Sequence, residues 1–304
     1  MQVFLTGATG FVGRHMVQRL LAEGHAVRSL LRTLPGQKAR LVQVSHREGD
    51  FRYVAGDVVS GAGLDEAMQG CDAVIHLVGI IAEKGSNTFE SVHHIGTRNV
   101  VEAARRKAVG RFVHMSAIGV RRDGVARYQT TKWKGEEVVR QSGIPYCILR
   151  PSLIFGPGDG FVTQLMDVMK KTPLFRPVPG DGSPRFRPIS IDDVTQCFTR
   201  ALTAEATRGQ TVEIGGADEL SLNQMLDEIA RCAGIRKPAV HVPMSLMLAG
   251  AALAEKVLPA PPVTTEQLWM LQEGSTCEIG RMVKIFGVQP RGFQGCGREI
   301  RTTD

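Results

Sequence analysis

The sequence predicts an α/β fold, a doubly wound parallel sheet with a smaller C-terminal α/β lobe. Three observations predict it. Through the first half, short β-branched or apolar runs alternate with longer helical patterns, as in a parallel sheet covered on both faces. A glycine-rich turn joins the first such run directly to the first helical pattern. After Pro151 the rhythm turns irregular and rich in Gly and Pro, in "FGPGDG" and "FRPVPGDGSPRFRP", before helical patterns resume. At 304 residues, 43% of them hydrophobic, the chain is long enough for one large core with a smaller appended lobe, and its composition excludes disorder.

Taken in order, the candidate strands are "QVFLT" (2–6), "AVRSLL" (26–31), "FRYVA" (51–55), "DAVIHLV" (72–78), "RFVHMS" (111–116) and "YCILR" (146–150). Helical patterns fill 11–23, 61–69, 87–106 and 127–142, and three more lie at 192–204, 221–233 and 245–257. The expected organisation is a sheet domain over 1–150, with strands and helices returned to it from 186–215, interleaved with a smaller substrate or partner lobe over 151–304. No internal repeat is present.

The glycine turn, "TGATGFVG", places Gly7, Gly10 and Gly13 after the first strand and at the mouth of the first helix. The first glycine permits the tight turn, the second lets backbone approach a pyrophosphate, and the third lets helix pack on strand. The helix N-terminus then offers unpaired N–H groups and a positive dipole to the anion. This makes the first domain a Rossmann-type NAD(P)-binding domain, with Thr9, Phe11 and Val12 joining the glycines as candidate cofactor contacts. The alternative is a glycine turn that holds no ligand. The second strand ends "SLLRT", with Arg32 and no carboxylate where an acidic residue would take the ribose 2′-OH of NAD. NADP(H) is therefore the expected cofactor and NAD(H) the alternative, with Arg32 as a mere solvent-exposed loop residue the blander reading.

The spacing G-x-x-G-x-x-G differs from the G-x-G-x-x-G of ordinary dinucleotide dehydrogenases, and with it this chain resembles the extended and atypical short-chain dehydrogenases/reductases. The resemblance implies an adenine contact at Asp57 and Val58 and a loop beside the adenosine ribose at Leu77, Val78 and Gly79. It also implies that Ser116 and Pro151, where the fifth and sixth strands end, belong to the cofactor site.

"YQTTK" supplies the candidate catalytic pair. Tyr128 and Lys132 stand four apart and share a helix face. A phenol is a poor acid or base at neutral pH, and a neighbouring ammonium is expected to lower its pKa. The resemblance adds that Lys132 reaches the nicotinamide ribose, so both residues also count as cofactor-binding. The bland alternative is an amphipathic helix with a core tyrosine and a solvated lysine. The superfamily's usual third member is a Ser or Thr after the fifth strand. In "VHMSAIG", Ser116 takes the first, structural place and Ala117 the catalytic one. That departure argues against ordinary ketone reduction or sugar epimerisation.

The segments "LRPSLIFGPGDGF", "FRPISIDDV" and "VEIGGADELSLNQMLDEIARCAGI" are similar, in order and spacing, to the atypical branch that includes the NADPH-binding accessory subunit of mitochondrial complex I and its bacterial homologues. Nucleotide-sugar epimerases carry an arginine, which binds the pyrophosphate, where this chain has Phe186, although Arg185 stands next door. "VPMSLMLAGAALAEKVL" reads as a core helix of the small lobe. Alternatively, its Met244, Met247 and Leu248 line a pocket for a lipophilic substrate, or it makes a peripheral membrane contact.

Lys plus Arg outnumber Asp plus Glu by 37 to 30, a net charge of +7 gathered in short clusters such as Arg105-Arg106-Lys107. That balance suits an anionic cofactor, an anionic substrate or an acidic membrane surface. No RRM, zinc-finger or helix-turn-helix spacing accompanies it, which argues against nucleic acid. Six cysteines are scattered without a C-x-x-C, so neither a metal site nor a disulfide framework is expected. A reducing cytosol is the default compartment, since a strand starts where a signal peptide would lie and the longest apolar stretch is broken by Glu255 and Lys256. Peripheral association with the inner membrane face is the variant of that expectation.

Three functions follow. The first is an NADP(H)-dependent oxidoreductase acting on a hydrophobic, quinone- or isoprenoid-like substrate of respiratory or quinone metabolism. The second is a non-catalytic NADPH-binding module that docks in a protein complex. The third is a nucleotide-sugar epimerase or dehydratase. The oligomeric state stays open.

Overall fold

The computed structural model describes residues 1–32, 50–258, 261 and 263–293. The chain divides into two compact units. The first comprises Met1–Pro151, Ile191–Glu213 and Gly280–Val288, and the second comprises Ser152–Ser190, Ile214–Ile279 and the chain from Gln289 onward.

The first unit is built on a seven-stranded sheet. Strands β1 (Gln2–Thr6), β2 (Ala26–Leu31), β3 (Phe51–Ala55), β4 (Ala73–His76), β5 (Arg111–Met115) and β6 (Tyr146–Pro151) run in the order β3-β2-β1-β4-β5-β6, with Gln210–Ile214 beside β6. Pairing is parallel, with Val3 opposite Val27 on one side and Leu5 opposite Ile75 on the other. All four residues of β4 are buried, the mark of a strand covered on both faces. Helices α1 (Phe11–Ala22), α2 (Leu64–Met68), α3 (Gly96–Arg106) and α4 (Arg127–Arg140) lie between the strands. The order of strands reverses between β1 and β4, and there the carboxyl ends of the strands open a crevice suited to a ligand.

Three local features depart from the sequence reading. The helix expected over 61–69 contracts to α2 because Gly61 and Gly63 take φ of +79° and +73°, which a helix cannot use. The pattern at 87–106 opens with a π-helical turn, Glu90–Ile95, before α3. Such turns are uncommon and gather at functional sites. Helices at Phe161–Lys171, Thr265–Glu273 and Gly280–Phe286 lie outside the segments read as helical.

The second unit packs Phe161–Lys171 and Leu222–Cys232 around Phe155, Phe186, Met225, Ile229 and Phe293. Short pairings brace it, such as Arg176–Pro179 with Ala239–Val242. The helix Met244–Val257 is not the core helix expected. Ala251 alone is buried, Met244, Met247 and Leu248 are half-buried, and Leu246, Leu253 and Val257 are exposed at 63, 64 and 69%. Apolar all round and rich in alanine, it lies on the surface, where Glu255 accepts the Thr265 N–H at 2.8 Å. Among the described residues no helix is long and apolar enough to cross a membrane.

Candidate active site

The glycine turn sits at the crevice. Gly7 has φ +80°, and a Cβ there would press on the Val78 nitrogen at 3.3 Å, where the chain leaves β4. A Cβ on Gly13 would collide with the Gly7 carbonyl and stand 2.7 Å from the Ala8 Cα, so α1 packs on β1 only with glycine. Gly10 differs. Its N–H donates to the Gly7 carbonyl at 3.0 Å, and a Cβ there would meet only the Gly7 oxygen, at an ordinary 3.4 Å. The chain's own packing does not require this glycine, and its outer side stays clear. It is also the N-cap of α1, with no side-chain cap and no acidic residue in the first turn. Thr9 is exposed beside it, Phe11 is half-buried against His15, and Val12 is buried in the core.

Tyr128 lies in the first turn of α4 and is half-buried. Its ring and that of His93 meet edge to face, 5.2 Å between centroids, and Phe89 approaches at 6.0 Å. Lys132, 3% exposed, donates its ammonium to the Met115 carbonyl at 2.9 Å, and Nζ lies 5.8 Å from the Tyr128 ring centre. Burial pushes the lysine down to about 8, and the Glu136 carboxylate pulls the other way. The expected drop in the phenol's pKa does not occur, because burial raises it. Glu136 is fully buried and held by Arg150 through two bonds of 2.8 and 2.7 Å and by Arg140 at 2.6 Å. Ser116 is buried, and among the described residues its hydroxyl has no hydrogen-bond partner. Ala117 supplies no hydroxyl beside it.

A neutral network holds these parts in register. His93 Nε2 accepts the Ile80 N–H at 3.1 Å, so Nδ1 carries the proton and donates to Thr131 Oγ1 at 3.1 Å. His93 thus ties the loop after β4 to α4. Thr97 donates to the His93 carbonyl at 2.7 Å and accepts from His76 Nε2 at 3.2 Å, while Thr6 donates to His76 Nδ1 at 2.7 Å. Burial pushes His76 to about 3 and His93 to about 2, so both stay neutral. Gly135 permits the approach, since a Cβ there would strike the His93 carbonyl oxygen. Sequence reasoning missed His93. The pair in "VHHIGT" was the available signal, but the π-helical turn that aims one ring inward is not legible in it.

The remaining candidates lie along the same edge of the sheet. Leu77 is buried, Val78 half-buried and Gly79 exposed, and a Cβ on Gly79 would meet Lys132 Nζ at 3.4 Å. Arg32 is exposed just beyond β2 and donates to Asn87 Oδ1 at 3.4 Å. Asp57 closes its own turn by accepting the Val59 N–H at 2.5 Å, while Val58 packs into the core and Asn99 holds the Val58 carbonyl at 2.9 Å. Pro151 is buried at the end of β6, where its carbonyl accepts the Ile118 N–H at 3.1 Å. Among the described residues no group of three or more His, Cys, Asp or Glu is placed to hold a metal.

Residues 7–204 match the NAD(P)H-binding family, a span that runs from the first glycine through the Tyr128–Lys132 helix. The chain belongs to this family. Its relatives place it among the extended short-chain dehydrogenases/reductases of the epimerase/dehydratase type. It is 34% identical to the ceramide reductase of Caulobacter vibrioides over 63% of this chain and 57% of that protein, so it spans little more than half of that relative's length. It is 26% identical to the mitochondrial NADH-ubiquinone oxidoreductase 40 kDa subunit of Neurospora crassa, over 86% of this chain and 68% of that one. The UDP-glucuronic acid 4-epimerase of Bacillus cereus, solved with NAD, shares the fold with a TM-score of 0.74 at 20% identity, over 98 and 94% of the two chains.

The residues present fit the family's cofactor. Gly10 leaves a cradle that a larger side chain would fill, the first-turn N–H groups of α1 face it, and the Ser116 hydroxyl is unpartnered at the same edge. In the second unit, Phe186 is buried in the core, and Arg185 and Arg187 both donate to Glu219, at 2.7 and 3.0 Å.

Proposed function

We propose that this chain is an NADPH-preferring oxidoreductase that interconverts a carbonyl and an alcohol on a hydrophobic, quinone- or isoprenoid-like substrate linked to respiratory or quinone metabolism. The observation that carries the reading is the Tyr128–Lys132 pair, with the phenol half-buried and the ammonium fixed to the Met115 carbonyl at the open edge of the sheet. A bound NADPH supplies hydride from C4 of its nicotinamide ring. The chain's residues do the rest. Tyr128, raised by burial, keeps its proton at neutral pH and hands it to the reduced oxygen. Lys132 holds a positive charge one turn away and orients the ribose. Gly7, Gly10 and Gly13 shape the pyrophosphate cradle, and Arg32 pairs with a 2′-phosphate. The ceramide reductase relative supports a lipid substrate, and the 40 kDa subunit supports the respiratory link.

Tyr128→Phe tests this reading. Turnover followed by NADPH absorbance should fall by about 10² or more with NADPH affinity nearly constant, because one hydroxyl is lost and the ring stays. Unchanged turnover would refute the catalytic assignment.

A second reading, a non-catalytic NADPH-binding module in a protein complex or at a membrane surface, is favoured by Ala117 and by the outward apolar face of Met244–Val257. In that case only Lys132→Met, not Tyr128→Phe, changes anything measurable. The epimerase reading is disfavoured, since Phe186 is core and Glu219 engages both neighbouring arginines.

A further inference from the structure

Among the described residues of the first unit, Ile81 and Val125 are, apart from the N-terminal Met1, the only large apolar side chains left exposed, at 58 and 59%. Both sit on segments adjoining Tyr128, while the unit's other large apolar side chains among the described residues are buried or half-buried. Val125 lies just before α4, three positions ahead of the phenol. Ile81 follows Ile80, whose N–H is held by His93, and the His93 ring in turn meets the Tyr128 ring edge-on. Both segments are fixed. Glu83, two residues beyond Ile81, pairs with Arg127, two residues beyond Val125, at 3.1 Å, and also accepts the Phe89 N–H at 2.7 Å. The Arg127 side chain is mostly exposed, so this ion pair adds little stability, and its consequence is geometric: it holds the two aliphatic-bearing loops beside each other. Exposed apolar groups rimmed by polar ones mark ligand-binding grooves.

From this we infer that Ile81 and Val125 form an apolar lip that receives the aliphatic chain of the substrate and so determines its class, a long-chain lipid carbonyl. The inference rests on the reductase reading for the reacting carbonyl, and on the two side chains alone for the chain that leads from it. Among the described residues the glycine turn packs on Leu77, Val78 and Ala8, and Lys132 is held by the Met115 carbonyl, so the lip sets substrate affinity and leaves cofactor affinity alone.

The test uses the intact chain with NADPH present and a pyrene-labelled long-chain ketone as probe, alongside the same label on a ketone without the chain. Binding is read by fluorescence anisotropy. The double variant Ile81→Ser, Val125→Ser should weaken the long-chain probe by roughly 10- to 100-fold, the effect of losing two aliphatic contacts. The short probe, NADPH affinity and the melting temperature should stay as in the parent, and Ile81→Leu with Val125→Ile should retain binding. Equal affinity of parent and double variant for the long-chain probe would overturn the inference. So would a parent that does not prefer the long-chain probe over the short one. Lip-dependent binding without NADPH oxidation would leave the lip standing and bring down the reductase reading instead.

Discussion

Burial pushes the Lys132 ammonium down to about 8, yet its bond to the Met115 carbonyl and the Glu136 carboxylate nearby keep it charged at neutral pH. The folded value lies below the unfolded one of about 10.4, so the charged lysine costs stability in full below pH 8, on the order of 3 kcal/mol. That cost is relieved as pH rises from 8 towards the unfolded value. Lys132→Met should therefore melt no lower than the parent at pH 7 and lose its advantage by pH 10, while its NADPH affinity falls. Thermal melts across pH with a parallel NADPH titration check this, and a destabilised Lys132→Met with unaltered affinity would contradict it. Arg32→Ala should bring NADPH affinity down to that for NADH, as read by fluorescence titration of both cofactors, because the charge-assisted bond to the 2′-phosphate is lost. Equal affinities in the parent would contradict the preference. Tyr128 and Lys132 were legible as a pair because four-residue spacing survives in any helix. The direction of the tyrosine's shift was not, since it depends on Phe89 and His93, which only the fold brings against the ring.

At the scale of elements, three histidines are carried by neighbouring segments around α4, His76 on β4, His93 on the π-helical turn and His114 on β5. Burial holds all three well below their ordinary value, to about 3 for His76 and about 2 for His93. A histidine kept neutral in the fold binds a proton on unfolding. Stability from this source is thus complete above about pH 6.5 and is lost as pH falls below it. Each contributes up to about 1.4 kcal/mol per pH unit. The melting temperature should drop steeply between pH 6.5 and 5, and His93→Gln, which keeps an acceptor for the Ile80 N–H, should flatten that slope. A parent whose melting temperature is level across this range would contradict the account. The inner strands of the sheet were legible because a parallel strand buried on both faces reads as an apolar run, as "AVIH" does in β4, whereas the half-exposed edge strand β3 showed through its aromatic and β-branched residues. Met244–Val257 misled for the same reason, since an apolar run does not tell whether anything packs on it.

For the whole molecule, the parallel order of strands collects the candidate residues at one edge. Because β1, β4, β5 and β6 run the same way, the glycine turn, Leu77 to Gly79, Met115 with Ser116, and Pro151 all lie at or just past carboxyl ends. That gathering was predictable once the strands were ordered, and the glycine spacing pointed to the same edge. Which carbonyl is brought there was not, because substrate choice depends on loops such as those bearing Ile81 and Val125, which obey no periodicity. The central claim is that this chain passes a hydride between NADPH and a lipid carbonyl. Its most direct test is to incubate the protein with a cellular lipid extract and NADPH deuterated at C4, on either face in turn, and to examine the lipids by mass spectrometry. The account predicts that one lipid class gains a single deuterium at a carbinol carbon, from one face only, and that Tyr128→Phe abolishes the labelling. A protein that binds NADPH yet labels no lipid from either face would contradict it.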